Sequence, residues 1–210
     1  MKHPFANRLI CIDDYFEEPE KINRIFDKQK FYRMSMYPGY RTDILYNSED
    51  NETKEFAIHF IESLKERVFP GISNYITSLH FHYYQVNSEK DFNHGVIHND
   101  NGTMAGVVYL TPNEIDIDSG TSIHLLKSGV ELFESEEEVQ SKIKFNTTGI
   151  IEENYINFME RNDNSFLETI RIGNKYNRLV AYDSMMFHCP NNYETKSGQV
   201  RKSLVFFIKN

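Results

Sequence analysis

The chain has 210 residues, of which 40% are hydrophobic and 26% charged, as expected for one globular domain with a sizeable core. The formal net charge of −8 argues against nonspecific nucleic-acid binding, because such binding needs a basic surface. Two cysteines are too few for a secreted disulfide scaffold, so we expect both to be free thiols. The sequence has no apolar run of about 18 residues and no apolar core of a signal peptide near its start. We therefore expect a cytoplasmic protein without membrane contact.

The first 74 residues are predicted to form a strand and two helices that flank the rest of the domain. A short strand and a turn are predicted within residues 7–20. Ile22, Ile25 and Phe26 then recur at helical spacing, which predicts a short amphipathic helix.

A longer helix is predicted within residues 48–69. Ser48 or Asp50 could cap its first turn, and Pro70 and Gly71 end it. Its apolar stripe consists of Phe56, Phe60, Ile61, Leu64 and Val68.

Short β-type runs bounded by turn residues follow from residue 75 onward. They span residues 75–86, 104–112, 121–126, 177–188 and 201–209. A polar helical stretch, from about residue 131 to 164, interrupts them and begins with the capping-box pair Ser135 and Glu138. This stretch lies within a predicted insertion of about residues 127–175, which could cover the mouth of a site.

Early helices and late strands predict an α+β fold that is mainly β, rather than the alternating βαβ pattern of a parallel sheet. Many short strands separated by turns favour a sandwich or barrel. The sequence has no internal repeat and no low-complexity linker. We therefore expect a single domain over residues 1–210, with its β core in residues 75–210.

The segment HGVIHND, residues 94–100, places metal-capable side chains just before an apolar strand. In an extended segment His98 and Asp100 point to the same side, so both could bind one ion. His188, at the end of the apolar run 177–188, is the candidate for a third ligand. Two histidines and one carboxylate leave three positions of an octahedral metal open, which is the facial triad of non-haem Fe(II) oxygenases.

A second pair of polar residues opens the last predicted strand. Arg201 and Ser203 are two apart and share a face. A guanidinium and a hydroxyl pointing into a barrel need an anionic partner. A dicarboxylic cosubstrate would provide one, with one end on the metal and its far carboxylate on Arg201.

The order of these motifs resembles the Fe(II)/2-oxoglutarate-dependent dioxygenases, in particular their prolyl-hydroxylase-like branch. The motifs are H-x-D at 98–100, A-G-V-x-Y-L at 105–110, Gly120-Thr121, His188 and R-x-S at 201–203. The resemblance covers roughly residues 75–210. It implies a double-stranded β-helix (jelly-roll, cupin-like) with N-terminal flanking helices and a helical insertion.

By this resemblance His98, Asp100 and His188 would be the catalytic Fe(II) ligands. Arg201 would bind 2-oxoglutarate with the help of Ser203 and of a strand tyrosine, Tyr84 rather than Tyr83. The implied enzyme uses O₂ and 2-oxoglutarate to hydroxylate a C–H bond of a peptide or small molecule, releasing succinate and CO₂. Many prolyl hydroxylases have Lys in place of Arg201, so a prolyl substrate does not follow.

Simpler interpretations exist for several of these residues. Asn99, Asp100 and Gly102 are turn formers, so the H-x-D motif alone would indicate a turn. The stretch YPGYRT, residues 37–42, is interpreted as a turn that could line the substrate entrance. His94 is interpreted as a loop or substrate-side residue. His80, His82 and His124 are interpreted as structural strand residues, although His124 follows Gly120-Thr121 and could face the pocket.

Two other functions compete with the oxygenase. A cupin-like metal protein would bind iron without 2-oxoglutarate, and a non-catalytic binding module on the same fold would need no metal. The substrate and the oligomeric state do not follow from the sequence.

Overall fold

The computed structural model describes residues 6–34, 36–70, 76–84, 93–196 and 198–209. Its elements are, in chain order, β1 (Leu9–Ile12), α1 (Pro19–Asp27), β2 (Tyr32–Met34), β3 (Tyr37–Arg41), α2 (Asn51–Arg67), β4 (Ile76–Tyr83), β5 (Met104–Tyr109), β6 (Ile115–Leu126), α3 (Glu136–Thr148), α4 (Glu153–Ser165), β7 (Phe166–Lys175), β8 (Leu179–Asp183), β9 (Phe187–Pro190) and β10 (Lys202–Lys209). Within the described ranges, no helix combines the length and apolarity that crossing a membrane requires.

The strands form two antiparallel sheets. The larger has the order β1-β8-β5-β10-β4-β3-β2, and the smaller has the order β7-β6-β9. A buried apolar cluster joins them, with Ala105, Val107, Tyr109, Val180, Tyr182 and Val205 from the larger sheet and Ile123 and Ile172 from the smaller one. This confirms the predicted fold, an α+β, mainly β double-stranded β-helix with flanking helices.

The two faces of the larger sheet contact different parts of the molecule. Successive strand residues point to opposite faces. On β10, Leu204, Phe206 and Ile208 pack into the core that also contains residues of α1 and α2. Ser203 and Val205, on the other face, point between the two sheets. Each fully buried Leu or Phe contributes roughly 1.5–3 kcal/mol to stability, so the helical side anchors the sheet, while the inner face carries both the apolar cluster and polar residues such as Ser203.

The helix ends follow the predicted capping residues. Asp50, not Ser48, caps α2, and its carboxylate accepts hydrogen bonds from the backbone N–H and the hydroxyl of Thr53. Ser135 and Glu138 form the predicted capping box of α3. Gly149 ends α3 in the left-handed conformation (φ 77°), where a residue without Cβ avoids strain.

The predicted β run 177–188 is two strands in different sheets. A turn between them is closed by a hydrogen bond from the Met186 N–H to the Asp183 carbonyl. Strand β8 therefore belongs to the larger sheet, while β9 carries His188 in the smaller one. The apolar pattern of the run did not reveal the change of sheet.

Two further segments differ from the sequence-based expectation. Residues 37–42 were interpreted as a turn, but 37–41 form β3, with Tyr40 paired to Tyr83 and Arg41 to His82. The final residues of the predicted helical insertion form β7, which pairs with β6. The predicted strand 75–86 is observed as β4, whereas residues 75, 85 and 86, and also Gly71, lie outside the described residues.

Candidate functional site

The three predicted metal ligands lie together at the open end of the two sheets. His98, Asp100 and His188 each offer one ligand atom within 4.8 Å of the others. An antiparallel bridge positions them, since the His98 N–H donates to the His188 carbonyl at 3.1 Å and the His188 N–H donates to the His98 carbonyl at 2.8 Å. The Asp100 N–H donates to the Ser184 carbonyl at 2.8 Å, which holds the carboxylate beside the two rings.

Hydrogen bonds to the backbone set the orientation of both imidazoles. His98 Nδ1 lies 2.8 Å from the Val96 carbonyl, and His188 Nδ1 lies 2.9 Å from the Met186 carbonyl. A carbonyl can only accept, so each Nδ1 carries the proton and each Nε2 keeps its lone pair. This is the tautomer in which a histidine binds a metal through Nε2.

The Nε2 atoms face the Asp100 carboxylate. His188 Nε2 is 3.4 Å from Asp100 Oδ2, and His98 Nε2 is 3.8 Å from Asp100 Oδ1. Asp100 Oδ2 is buried and has no hydrogen-bond partner among the described residues. A buried carboxylate oxygen between two imidazole lone pairs is costly when nothing binds it, so this donor set fits a divalent cation.

The charge states of these groups suit a metal. Desolvation, with a smaller effect of His188, lowers the pKa of His98 to about 4, although its side chain is 48% exposed. Its exposed surface lines the cavity between the sheets, so the ring is partly accessible although protein surrounds much of it. Burial raises the pKa of the Asp100 carboxyl, but His188, His98 and Arg41 outweigh it and the net pKa is below the usual value. At neutral pH the site therefore offers a neutral imidazole at His98 and an ionised carboxylate at Asp100.

A cavity of about 680 Å³ extends from these residues into the space between the sheets. Its lining includes Tyr84, Arg201 and Ser203, the three residues predicted to bind 2-oxoglutarate. A small-molecule site typically has a volume of about 300–1,000 Å³. The cavity is thus large enough for a dicarboxylate and a small substrate together.

Arg201 lies deep in this cavity, with only 1% of its surface exposed. Its Nη1 donates to the Asn192 carbonyl at 2.9 Å and its Nη2 to the Gly120 carbonyl at 3.0 Å, while Nε has no partner among the described residues. The guanidinium carbon lies 5.0 Å from the ring centre of Tyr84. The charge is therefore fixed in place by the backbone, and one of its donors is left over.

Tyr83 is the last residue of β4 and Tyr84 follows it, and their side chains point in opposite directions. Tyr84 lines the cavity and stacks on Tyr193 with ring centres 4.3 Å apart. Tyr83 packs against the core on the helical side and stacks on Tyr40 at 4.8 Å. Of the two candidates, only Tyr84 shares the cavity with Arg201.

The four other histidines considered in the sequence analysis have hydrogen-bond or ion-pair partners. His94 lies 3.5 Å from Asp163 and does not line the cavity. His80 and His124 form hydrogen bonds with Thr42 and Ser122, as expected for structural residues. His82 was also interpreted as structural, yet besides bonding the Pro38 carbonyl it lines the cavity. Its position two residues before Tyr84, on the same face, was the signal that could have indicated this.

The sequence analysis expected that the insertion could cover the mouth of a site, but it named none of the side chains that line the cavity. Residues 131–134, which precede α3, and both helices α3 and α4 contribute side chains. Those from the two helices are Lys142, Asn146, Tyr155, Phe158, Arg161, Asn162 and Ser165. Arg41, from the misassigned strand β3, lines the cavity as well.

Comparisons with known proteins give relatives in fold and a family in sequence. Three solved structures have similar folds. A prolyl hydroxylase from Trichoplax adhaerens, in complex with a hypoxia inducible factor peptide fragment, is 12% identical (TM-score 0.55; 97% of this chain and 84% of that chain covered). HygX from Streptomyces hygroscopicus, with nickel and 2-oxoglutarate bound, is 8% identical (TM-score 0.59; 97% and 83% covered). A 2OG-Fe(II) oxygenase family oxidoreductase from Burkholderia pseudomallei is 10% identical (TM-score 0.56; 96% and 84% covered).

In sequence, a comparison with curated proteins gives no match. Residues 3–199 match the model of a protein family described as a family of unknown function, DUF6445. The chain therefore belongs to the DUF6445 family and has the double-stranded β-helix fold seen in 2-oxoglutarate- and Fe(II)-dependent oxygenases.

Proposed function

We propose that this protein is a non-haem Fe(II)/2-oxoglutarate-dependent oxygenase that hydroxylates a C–H bond of a small molecule or peptide. The observation that carries the proposal is the cluster of His98, Asp100 and His188, in which two imidazole lone pairs and one carboxylate point to a common centre. Such a set occupies one face of an octahedral metal and leaves the other face for ligands.

In this proposal His98, Asp100 and His188 hold Fe(II) and are the catalytic residues. The bound iron would supply O₂ activation, coupled to conversion of 2-oxoglutarate to succinate and CO₂. Asp100 contributes a negative charge, while the hydrogen bonds from both Nδ1 atoms to the backbone keep the two rings oriented. Rigid orientation of the ligands is what a protein adds to the chemistry of the metal.

Arg201 is proposed to bind the far carboxylate of 2-oxoglutarate, together with Ser203 and Tyr84. The fixed guanidinium of Arg201 retains a free Nε donor. Ser203 is 1% exposed and its hydroxyl, which donates to the His82 carbonyl at 3.3 Å, also lines the cavity. Charge-assisted hydrogen bonds of an arginine to a carboxylate are among the stronger polar contacts in proteins.

The first test is an anaerobic titration of the protein loaded with Fe(II). Addition of 2-oxoglutarate should produce a visible metal-to-ligand charge-transfer band that saturates at about one equivalent if a single triad chelates it. The His98→Ala variant, which lacks one ligand, should not form the band. His59→Ala is the matched control, because His59 is exposed on α2.

The outcomes of this titration separate the competing functions. Iron binding without a band would contradict the proposal and favour a cupin-like metal protein. If the protein bound no iron, the result would favour a non-catalytic binding module in which His98 and Asp100 are turn residues. Both results would be read from the same sample.

A further inference from the structure

Among the residues that the structure describes, the cavity is lined by four cationic side chains, those of Arg41, Lys142, Arg161 and Arg201. Two of the four are neutralised by acidic partners in the insertion. Lys142 lies 2.5 Å from Glu134, and Arg161 lies 2.5 Å from Glu138. Arg201 is assigned to 2-oxoglutarate in the proposed function, so Arg41 is the cation without an assigned partner.

Arg41 is held in place by aromatic rings rather than by a carboxylate. Its guanidinium carbon lies 3.6 Å from the ring centre of Tyr37 and 5.6 Å from that of Phe207. Stacking on a ring occupies the face of the guanidinium and leaves its N–H edge available. Nε is buried and, within the described ranges, Arg41 forms no ion pair and its Nε no hydrogen bond. A charged donor in such a position is expensive unless a ligand pairs with it.

The charges of the site with Fe(II) and 2-oxoglutarate bound also single out Arg41. Arg41 interacts electrostatically with Asp100, which is the acidic group that acts on it. In the proposed function, however, Asp100 and the two carboxylates of 2-oxoglutarate are balanced by the divalent iron and Arg201. Among the described residues, the positive charge of Arg41 then has no paired carboxylate, and Arg41 lines the same cavity as the metal ligands.

The mouth of the cavity has exposed apolar side chains together with the carboxylates of Glu131 and Glu134, the second of which is paired with Lys142. Met36, Leu132 and Phe133 line it with 83%, 49% and 66% of their surface exposed. Exposed side chains of this size grouped at a cavity mouth indicate contact with a ligand. In the part of the chain that the structure describes, the lining therefore combines one cation without a paired carboxylate, Arg41, with three exposed apolar side chains at the entrance.

We propose that Arg41 binds an oxyanion group, a carboxylate or phosphate, of a small amphiphilic substrate whose apolar part contacts Met36, Leu132 and Phe133. This inference rests on the proposed function, because it takes Arg201 as the 2-oxoglutarate ligand. It narrows the substrate to an anionic small molecule, with the oxidised C–H bond in the part of the substrate nearest the triad.

The test measures anion binding to the holoprotein, loaded with Fe(II) and saturating 2-oxoglutarate under anaerobic conditions. Calorimetric titrations with hexanoate, hexyl phosphate and neutral hexanamide compare carboxylate, phosphate and no charge on one apolar chain. The wild type should bind at least one anion more tightly than hexanamide. Arg41→Gln should weaken that binding by about tenfold or more, as expected for loss of a charge-assisted hydrogen bond.

Two variants control for loss of structure. Arg41→Lys keeps the charge and should bind the preferred anion more tightly than Arg41→Gln. Arg24→Gln makes the same change on the exposed side of α1 and should leave anion binding unaltered. The ratio of hexanoate to hexyl phosphate affinity tells which oxyanion the site prefers.

The inference is overturned if the wild type binds neither anion, if hexanamide binds as well as the anions, or if Arg41→Gln retains wild-type affinity. The charge-transfer band in the same samples tests the proposed function separately. A band without Arg41-dependent anion binding rejects this inference alone. Arg41-dependent anion binding without a band rejects the oxygenase proposal and leaves an anion-binding site.

Discussion

The side chain of Asn162 forms two hydrogen bonds with the backbone of Ile97. Its Oδ1 accepts from the Ile97 N–H at 2.8 Å, and its Nδ2 donates to the Ile97 carbonyl at 3.0 Å. Ile97 directly precedes His98, and Asn162 lies on α4 of the insertion. A helix of the insertion thus fixes the backbone that carries a candidate metal ligand, so the insertion helps to build the site.

Replacing Asn162 with Ala should loosen this segment. Both hydrogen bonds are buried, so we expect the free energy of unfolding to fall by about 2–3 kcal/mol. We also expect the affinity for Fe(II) or Co(II) to fall. Asn164→Ala, an exposed position on the same helix, is the control. Urea unfolding and metal titration measure the two effects, and unchanged metal affinity in folded Asn162→Ala would show that the amide is only structural.

Metal should stabilise the wild type but not variants of the triad. A ligand at 100 times its dissociation constant stabilises the native state by about 2.7 kcal/mol. We expect Fe(II) to raise the Tm of the wild type and of His59→Ala, and to leave that of Asp100→Ala and His188→Ala nearly unchanged. A metal-induced rise in Tm that survives both triad substitutions would place the metal elsewhere.

The site residues were predictable because their order along the chain follows strand periodicity. His98 with Asp100, and Arg201 with Ser203, are two apart, and residues two apart on extended backbone share a face. The sequence could not show that His188 would lie on a different sheet from the apolar strand preceding it, because the turn after Asp183 leaves the hydrophobic pattern intact. His188 was nevertheless a candidate ligand from the sequence, and it lies beside His98 and Asp100 although its strand was misassigned.

Arg41 and Asn162 depend on contacts that no local pattern encodes. The dipeptide Pro38-Gly39 is typical of a turn, and only pairing with β4 turns this segment into a strand that brings Arg41 to the cavity. Asn162 acts on Ile97 across 65 residues of sequence. Long-range pairing of this kind is decided by the tertiary structure, which overrides local propensity.

Arg201→Gln should separate cosubstrate binding from metal binding. The variant loses the charge and the donors to the Asn192 and Gly120 carbonyls, so we expect 2-oxoglutarate affinity to fall by about tenfold or more while Fe(II) still binds. Arg201→Lys should lose less, because the charge remains. The charge-transfer band reports 2-oxoglutarate binding, with Arg24→Gln as control. An unaltered 2-oxoglutarate affinity in Arg201→Gln would refute the assignment of this residue.

Acid should weaken one ion-pair cluster at the edge of the larger sheet. Asp13 lies 2.5 Å from Arg178 and 3.0 Å from Lys175, and the hydrogen bond from Arg178 leads the effects that lower its pKa to about 2. The folded pKa is below the unfolded value of about 3.9, so the stabilisation is present above pH 4 and is lost as the pH falls toward 2.

Asp13→Asn should therefore lower the free energy of unfolding at pH 7, and the difference from the wild type should shrink progressively below pH 4. Because the Asp13 side chain is 40% exposed, the effect at pH 7 should be below about 1 kcal/mol. Urea unfolding at pH 7, 4 and 3 measures it, and Glu55→Gln, at an exposed position of α2 away from this cluster, is the control. A difference between Asp13→Asn and wild type that did not change with pH would rule out the ion pairs as its source.

Tyr84 and Tyr83 offer a matched pair of substitutions for the cosubstrate site. Burial raises the pKa of the Tyr84 phenol, so it remains a protonated hydrogen-bond donor at neutral pH, and the nearby Arg201 lies at the same end of the cavity. Tyr84→Phe removes only this hydroxyl and should weaken 2-oxoglutarate binding by about tenfold if the phenol donates to a carboxylate. Tyr83→Phe changes the opposite face, where the ring packs with Phe31 and Tyr40, and should leave 2-oxoglutarate affinity unchanged. Equal affinities in the two variants would exclude Tyr84 from the cosubstrate site, and weaker binding in Tyr83→Phe alone would reverse the choice between the two tyrosines.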